Sequence, residues 1–450
     1  MSKSKKFKIG FTFIMIAAVI ATFVGNAIIS RNQKADKKQI SGRDLSIYIT
    51  SDIHYLSDNL NDHGEAFAKY MSSGDGKQLE YINQILEAFT DNIVKTKPDI
   101  LILSGDLTSN GEKESHLDLA AKLTRIEKSG TSVYVIPGNH DISNPYARGF
   151  KDDKQYVTEF ISDKDFSKIY SSFGYKEAIS KDKETLSYLA APSAEVWLMM
   201  LDTNKYKNNL TLGYPETDGI LAKSTLDWIK TCSDLAIEKG ATIITMMHHN
   251  ILNHSEVIRE GYTLNNSDLA SMRFKGNQMN LVFSGHIHVQ DISSDKTAAG
   301  QLYDVASGAL SVNPHQYGIL KYSVKDGSFD YSTSKVDVET WAKNNEITDE
   351  NLLDFTSYAE NYFGKFAYNR TYSSLTEKTD YSEDQIIMMA ETMKLLNIRY
   401  FAGVEKLNSE EIINSEGYKL LTSSSDNFHQ GYVLSITSDK DIDDNYLHID

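Results

Sequence analysis

The chain has 450 residues, with 46 Lys and Arg against 62 Asp and Glu, for a formal net charge of −16. Forty per cent of it is hydrophobic and 24% is charged, which excludes a disordered chain, a collagen-like fibre and a multi-span membrane protein. The acidic balance argues against non-specific nucleic-acid binding, which needs Lys and Arg to release counterions. The single cysteine, Cys232, excludes an internal disulfide framework and a Cys-rich zinc site.

Residues 1–8, MSKSKKFK, are basic, and the run from Ile9 to Ile29 carries no charge. About twenty apolar residues suffice to span a bilayer, and a basic start keeps that end cytoplasmic. Residues 1–39 therefore read as an uncleaved single-pass anchor. A cleaved secretory signal, with Gly25 and Ala27 at its end, is the alternative. Either one exports residues 40–450. An exported chain without paired cysteines, rich in Lys, Asn and Tyr, points to a Gram-positive bacterial surface.

From Leu45 onward, short β-rich runs alternate with helical patterns. LSIYIT (45–50) is a predicted strand, and residues 77–97 space Leu79, Ile82, Leu86, Phe89 and Ile93 as one helix face that Pro98 ends. DILILS (99–104) and TSVYVI (131–136) are further strands around a helix at 114–128. VWLMML, ATIITMM and MNLVFS repeat the pattern. Such alternation predicts an α/β sheet with chemistry at the strand ends, over residues 40–335. Residues 336–450 read as a smaller, mainly helical domain, with helices near 349–364, 383–402 and 409–421. Ser382 and Gln385 are spaced as a capping box.

Five clusters follow apolar runs: Asp52-Ile53-His54, Gly105-Asp106, Gly138-Asn139-His140-Asp141, His248-His249 and Gly285-His286-Ile287-His288. One Asp-x-His or His-x-His alone would be weak. Five clusters in matching positions, holding half of the 12 histidines, form a metal-ligand pattern. Carboxylate and imidazole donors without sulfur suit Mn, Fe, Zn or Mg-like ions. Two Asp, one Asn and four His exceed what one tetrahedral ion needs, and fit two divalent ions roughly 3.5–4 Å apart that activate water for phosphoryl displacement.

The order DxH, GD, GNHD, HH and GHxH resembles the five motifs of the calcineurin-like metallophosphoesterase family, over residues 52–288. The resemblance implies a four-layer α/β/β/α sandwich. It implies Asp52, His54 and His288 on one metal, Asp106 bridging, and Asn139, His248 and His286 on the other. It further implies His140 beside the phosphate, with Asp141 orienting its ring. Asn250 stands where the family commonly has Pro, which leaves His248 or His249 as the ligand, His248 being preferred. GDLTSNGEKESH (105–116), IPGNHDISNP (136–145), HHNIL and SGHIHVQD resemble secreted bacterial members related to class III cyclic-nucleotide phosphodiesterases.

These expectations describe a dinuclear phosphodiesterase, acting outside the cell by attack of a metal-bridging hydroxide, with cyclic nucleotides as the favoured substrates. A phosphomonoesterase or nucleotidase on the same site is the alternative enzyme. An inactive surface binding protein is disfavoured because no ligand is lost. The expected partners are a small phosphoester and, at the N-terminus, the membrane; nucleic acid is not expected and the oligomeric state is open. Among other residues, His63 and His116 read as exposed or helix-surface side chains. Arg148 reads as a phosphate contact or a surface pair, and Asn144 could reach a phosphate. Asp202 reads as a turn former and Cys232 as core. The aromatics at 358, 362, 363, 366 and 368 read as packing against the catalytic domain.

Overall fold

A computed structural model describes residues 39–450 except 73, 379–380, 406–409, 424–426 and 439–442. The basic and apolar run of residues 1–38 lies outside the described residues. Among the described residues, no helix is long and apolar enough to cross a membrane.

Two sheets face each other. The first has six strands in the order Tyr446–Ile449, Phe329–Lys335, Gln316–Tyr322, Leu45–Thr50, Ile100–Ser104 and Ser132–Ile136. Its last three strands run parallel. The second sheet has seven, in the order Asp291–Thr297, Gly300–Ala306, Leu281–Ser284, Thr242–Met247, Val196–Leu201, Tyr188–Ala190 and Ser180–Lys181. The four strands from Gly300–Ala306 through Val196–Leu201 are parallel. Buried on both faces, the parallel strands read as unbroken apolar runs such as ILILS and VWLMML, as strands covered on both sides require.

One core joins both sheets to helices Ile82–Thr96 and Lys113–Ser129, through Ile85, Phe89, Leu119, Leu101, Leu198 and Phe283. A second core lies on the far side of the second sheet, under helices Lys223–Lys239 and Ser267–Gly276. The result is the expected four-layer sandwich of helices, sheet, sheet and helices. Cys232 is buried in that second core.

Helices follow Val338, among them Phe355–Lys378, Glu383–Phe401, Glu416–Thr422 and Asn427–Thr437. Ser382 and Gln385 do form the capping box. This region is less separate than the sequence implies. Its core takes in Ile287, Val289 and Ala306 of the sandwich alongside Leu375, Met389, Leu396 and Val433. Phe363 packs with Ala309 and Val312. Residues 446–449 then leave the helices and pair with 329–332 in the first sheet.

A buried charge cluster lies beside this junction. His254 Nδ1 donates to Asp291 and its Nε2 lies 3.2 Å from Asp304, while the Tyr400 hydroxyl donates to the His254 carbonyl at 2.8 Å. Burial alone would lower this imidazole's pKa. The charge of Asp304, with Asp291, outweighs it and lifts the pKa from 6.5 to about 10. The imidazolium therefore stabilises the fold fully below its unfolded pKa, and that contribution is lost as pH rises through about 10. His254→Gln should cost roughly 3–5 kcal/mol at neutral pH, since it leaves buried carboxylates uncompensated. Denaturant midpoints of the two proteins should converge toward pH 10; a constant difference across that range would refute the account.

Candidate metal centre

Every cluster expected from the sequence falls at the C-terminal end of a parallel strand: Asp52 and His54 after Leu45–Thr50, Asp106 after Ile100–Ser104, and Asn139 to Asp141 after Ser132–Ile136. His248 follows Thr242–Met247, and His286 and His288 follow Leu281–Ser284. Because the two sheets face each other, these ends meet in one seam.

Bringing them together demands unusual backbone. Asp52, His54, Asp106, His286 and His288 all have positive φ, between 46° and 70°, a region non-glycine residues seldom enter. Backbone bonds hold them there: Asp52 N–H donates to Gly105 O (3.1 Å) and His54 N–H to Asp106 O (2.9 Å). His286 N–H donates to Asp52 Oδ2 and His140 N–H to Asp106 Oδ1. The motif glycines make room for this. A Cβ on Gly138 would lie 2.1 Å from Asp106 N, and one on Gly285 would lie 2.0 Å from Ser51 Oγ.

Potential ligand atoms of Asp52, His54 and His288 lie within 4.8 Å of one another, and so do those of Asp106, His248 and His286. The same limit joins His54, Asp106 and His140. His54 Nε2 sits 3.2 Å from His288 Nε2 and 3.7 Å from Asp106 Oδ2. His248 Nε2 is 3.4 Å from Asp106 Oδ2 and 3.0 Å from Asn139 Oδ1. Of the doublet, His248 is the residue whose ring reaches the seam. Its Nδ1 donates to Ser104 O, leaving Nε2 in the seam. Both nitrogens of His249 are engaged, by the Thr203 hydroxyl (2.7 Å) and Thr217 O (2.9 Å). Asn250, the departure from Pro, donates from Nδ2 to Ser284 Oγ and Gly285 O, tying this loop to the His286 loop.

The donor set fits a pair of divalent ions. Asp52 Oδ1, an anionic acceptor, is buried without a hydrogen-bond partner. Burial pushes the Asp106 carboxyl up, but His248 and His140 outweigh it and take it well below its usual range. At His248, burial is outweighed by Asp106, which lifts the imidazole to about 9. Burial carries His54 well below 6.5, with Lys77 adding to it, and takes His286 to about 3. Two buried carboxylates thus stand among imidazoles of which burial disfavours the charged form at His54 and His286, leaving nitrogen lone pairs for a cation.

Asp141 departs from its expected role. Its carboxylate accepts from Gly138 N, Leu107 N, Thr108 N and the Thr108 hydroxyl, at 2.8–3.1 Å. The His140 ring is instead held at Nδ1, which donates to Ser109 O at 2.7 Å, with Asn110 Oδ1 at 3.2 Å. Its Nε2 faces the seam, 3.9 Å from Asp106 Oδ2, and the side chain is a quarter exposed. Asp141 is thus the clamp joining the Asp106 and Asn139 loops. Burial, then Asp106, raises its pKa to about 7.

His116 overturns its reading as a surface residue. It is fully buried, bonded to the Tyr170 hydroxyl (2.8 Å), Thr108 Oγ1 and Asp141 O. The signal was available: it shares a helical stripe with Leu119, Leu123 and Ile126. His63 is exposed. Asn144 is buried and donates to His140 O, and Arg148 donates to Pro145 O and Ala147 O. Asp202 organises its own turn through Asn204, Leu186 N and Tyr206.

A seam of paired carboxylates and imidazoles between two facing sheets defines a dinuclear metal hydrolase. Residues 45–290 match the calcineurin-like phosphoesterase model, more than half the chain, and the chain belongs to that family. It is a metal-dependent phosphoric ester hydrolase. Residues 337–443 match the C-terminal domain of cyclic nucleotide phosphodiesterase. No curated protein matches the chain. Similar solved structures include a dimetal phosphatase from Danio rerio, 12% identical over 64% of this chain and 96% of that one, with a TM-score of 0.46. Another is GAP50, the anchor in the inner membrane complex of Plasmodium, 12% identical over 71% of this chain and 95% of that one, TM-score 0.33.

Because Asp141 acts through the ligand loops, Asp141→Ala should weaken metal binding by roughly 10–100-fold, as loss of an outer-shell partner typically does. Titration of the apo chain with Mn²⁺ measures this; unchanged affinity would make the clamp purely structural.

Proposed function

We propose that the chain hydrolyses small phosphodiesters, cyclic nucleotides foremost, outside the cell. The observation that carries the reading is the helical domain matched to that of cyclic nucleotide phosphodiesterase. It packs directly on the ligand loops, with Ile287, between His286 and His288, in its core. A wall built against the metal centre narrows the site and selects among esters.

Asp52, His54 and His288 would hold one ion, Asn139, His248 and His286 the other, and Asp106 would serve both. When bound, two divalent ions, of Mn, Fe or Zn, supply charge neutralisation and an activated water. His140 is positioned to hold or move a proton at Nε2, since its Nδ1–H is committed to Ser109 O.

Full-length chain purified in mild detergent and loaded with Mn²⁺ should prefer bis-p-nitrophenyl phosphate over p-nitrophenyl phosphate and turn over 3′,5′- or 2′,3′-cyclic nucleotides. Monoester preference would replace this reading with a nucleotidase. Asp106→Ala should abolish both turnover and the metal-induced rise in melting temperature. For the location, the support is the uncharged run from Ile9 to Ile29 behind a basic start. Protease added to intact cells should remove the catalytic domain; full protection would place the activity inside.

A further inference from the structure

Lys77 lies outside all five motifs, yet the fold ties its loop to the backbone of Asp52. Its neighbour Gln78 donates from N–H to Ser311 O at 2.8 Å. Ser311 in turn donates from Oγ to Asp52 O at 2.8 Å, so one residue separates Lys77 from a chain of bonds ending on a ligand backbone. Gln78 is also bonded through its side chain to His315. From the other side the helical domain closes on the loop: the Tyr362 hydroxyl donates to Lys77 O, and a Cβ on Gly76 would meet the rings of Phe363 and Phe366 at 2.9–3.0 Å.

Held this way, the ammonium is only 12% exposed and pairs with Asp75 at 2.9 Å, whose side chain is 49% exposed. Its charge reaches His54 and His140, which it disfavours as cations, and is felt in return from Asp106. Asp75 likewise interacts with His288 and His140. A lysine that merely needed a partner could pair with Asp75 in water. Here its loop is pinned from two domains, and its charge is spent on the side of the centre where His54, His140 and His288 gather.

Resting on the phosphodiesterase reading, we propose that Lys77 is a substrate-binding residue that donates to a phosphoryl oxygen, and that Asp75 makes the pair select for the singly charged diester. An ammonium has three N–H donors, and a carboxylate on one side leaves the others for an anion. Because Asp75 cancels the net charge, the pair offers hydrogen bonds without rewarding the second negative charge of a monoester. The Asp75 carboxylate would repel that extra charge.

The test uses the full-length chain loaded with Mn²⁺. Lys77→Gln should raise KM for bis-p-nitrophenyl phosphate by roughly 10–100-fold, the usual worth of a hydrogen bond to a charged group. It should weaken binding of inorganic phosphate, measured by calorimetry, by a similar factor, while metal content and melting temperature stay at wild-type values. Lys77→Arg should restore most of both. Asp75→Asn should raise the monoester-to-diester ratio of kcat/KM. Wild-type KM and phosphate affinity in Lys77→Gln would overturn the role of Lys77, and an unchanged ratio in Asp75→Asn would overturn that of Asp75. Inactivity of the wild-type chain on every phosphoester would instead defeat the functional reading, with phosphate binding still reporting on Lys77.

Discussion

The structure depends on one electrostatic demand: two carboxylates, Asp52 and Asp106, are fully buried where two sheets meet, with imidazoles on every side. Burying such charges costs several kcal/mol each unless cations and hydrogen bonds surround them. To bring the donors into range, five of the residues adopt left-handed backbone, at a cost of order 1 kcal/mol or more apiece. Their sum is comparable to the whole stability of a domain. The site persists because the strain is over-determined: ligand backbones bond to one another, Asp141 clamps two loops, and the motif glycines let chains approach where any side chain would collide.

That demand also explains the helical domain. Loops strained toward a metal centre need support on their outer side. Ile287 and Val289 flank His288 and are buried among Met389, Leu396 and Val433. The His286–His288 loop is thereby gripped between sheet and helices. The same domain packs on the loop of Lys77. The region that supports the His286–His288 loop therefore also holds the loop of Lys77 in place.

Much of this was legible in the sequence. Strand ends, the alternation of strands and helices, the capping box at Ser382 and the five ligand clusters all depend on local pattern, and the structure places them where the pattern says. What the sequence concealed depends on partners distant along the chain. The stripe that His116 shares with Leu119, Leu123 and Ile126 marks it as buried, but its bonds to Tyr170 and Asp141 do not show in the sequence. Asp141 looks like a ring-orienting partner because it adjoins His140, yet its bonds run to residues 107, 108 and 138. The choice between His248 and His249 turns on Thr203 and Thr217, which no local spacing reveals. Lys77 carries no motif at all; only the approach of Ser311 and Tyr362 shows where it stands.

The strand at residues 446–449 gives the helical region a particular topology. It pairs with Phe329–Lys335, the strand from which the chain departed before the helices began. The helices are thus an insertion between two neighbouring strands of one sheet, with entry and exit side by side. Such a cassette is exchangeable as a unit, since a different insert joined at the same two points leaves the sheet's hydrogen bonding intact. Its double attachment also means that one proteolytic cut between the two anchoring strands does not release it. In such an architecture the inserted helices can change while the strands that carry the clustered carboxylates and imidazoles stay as they are.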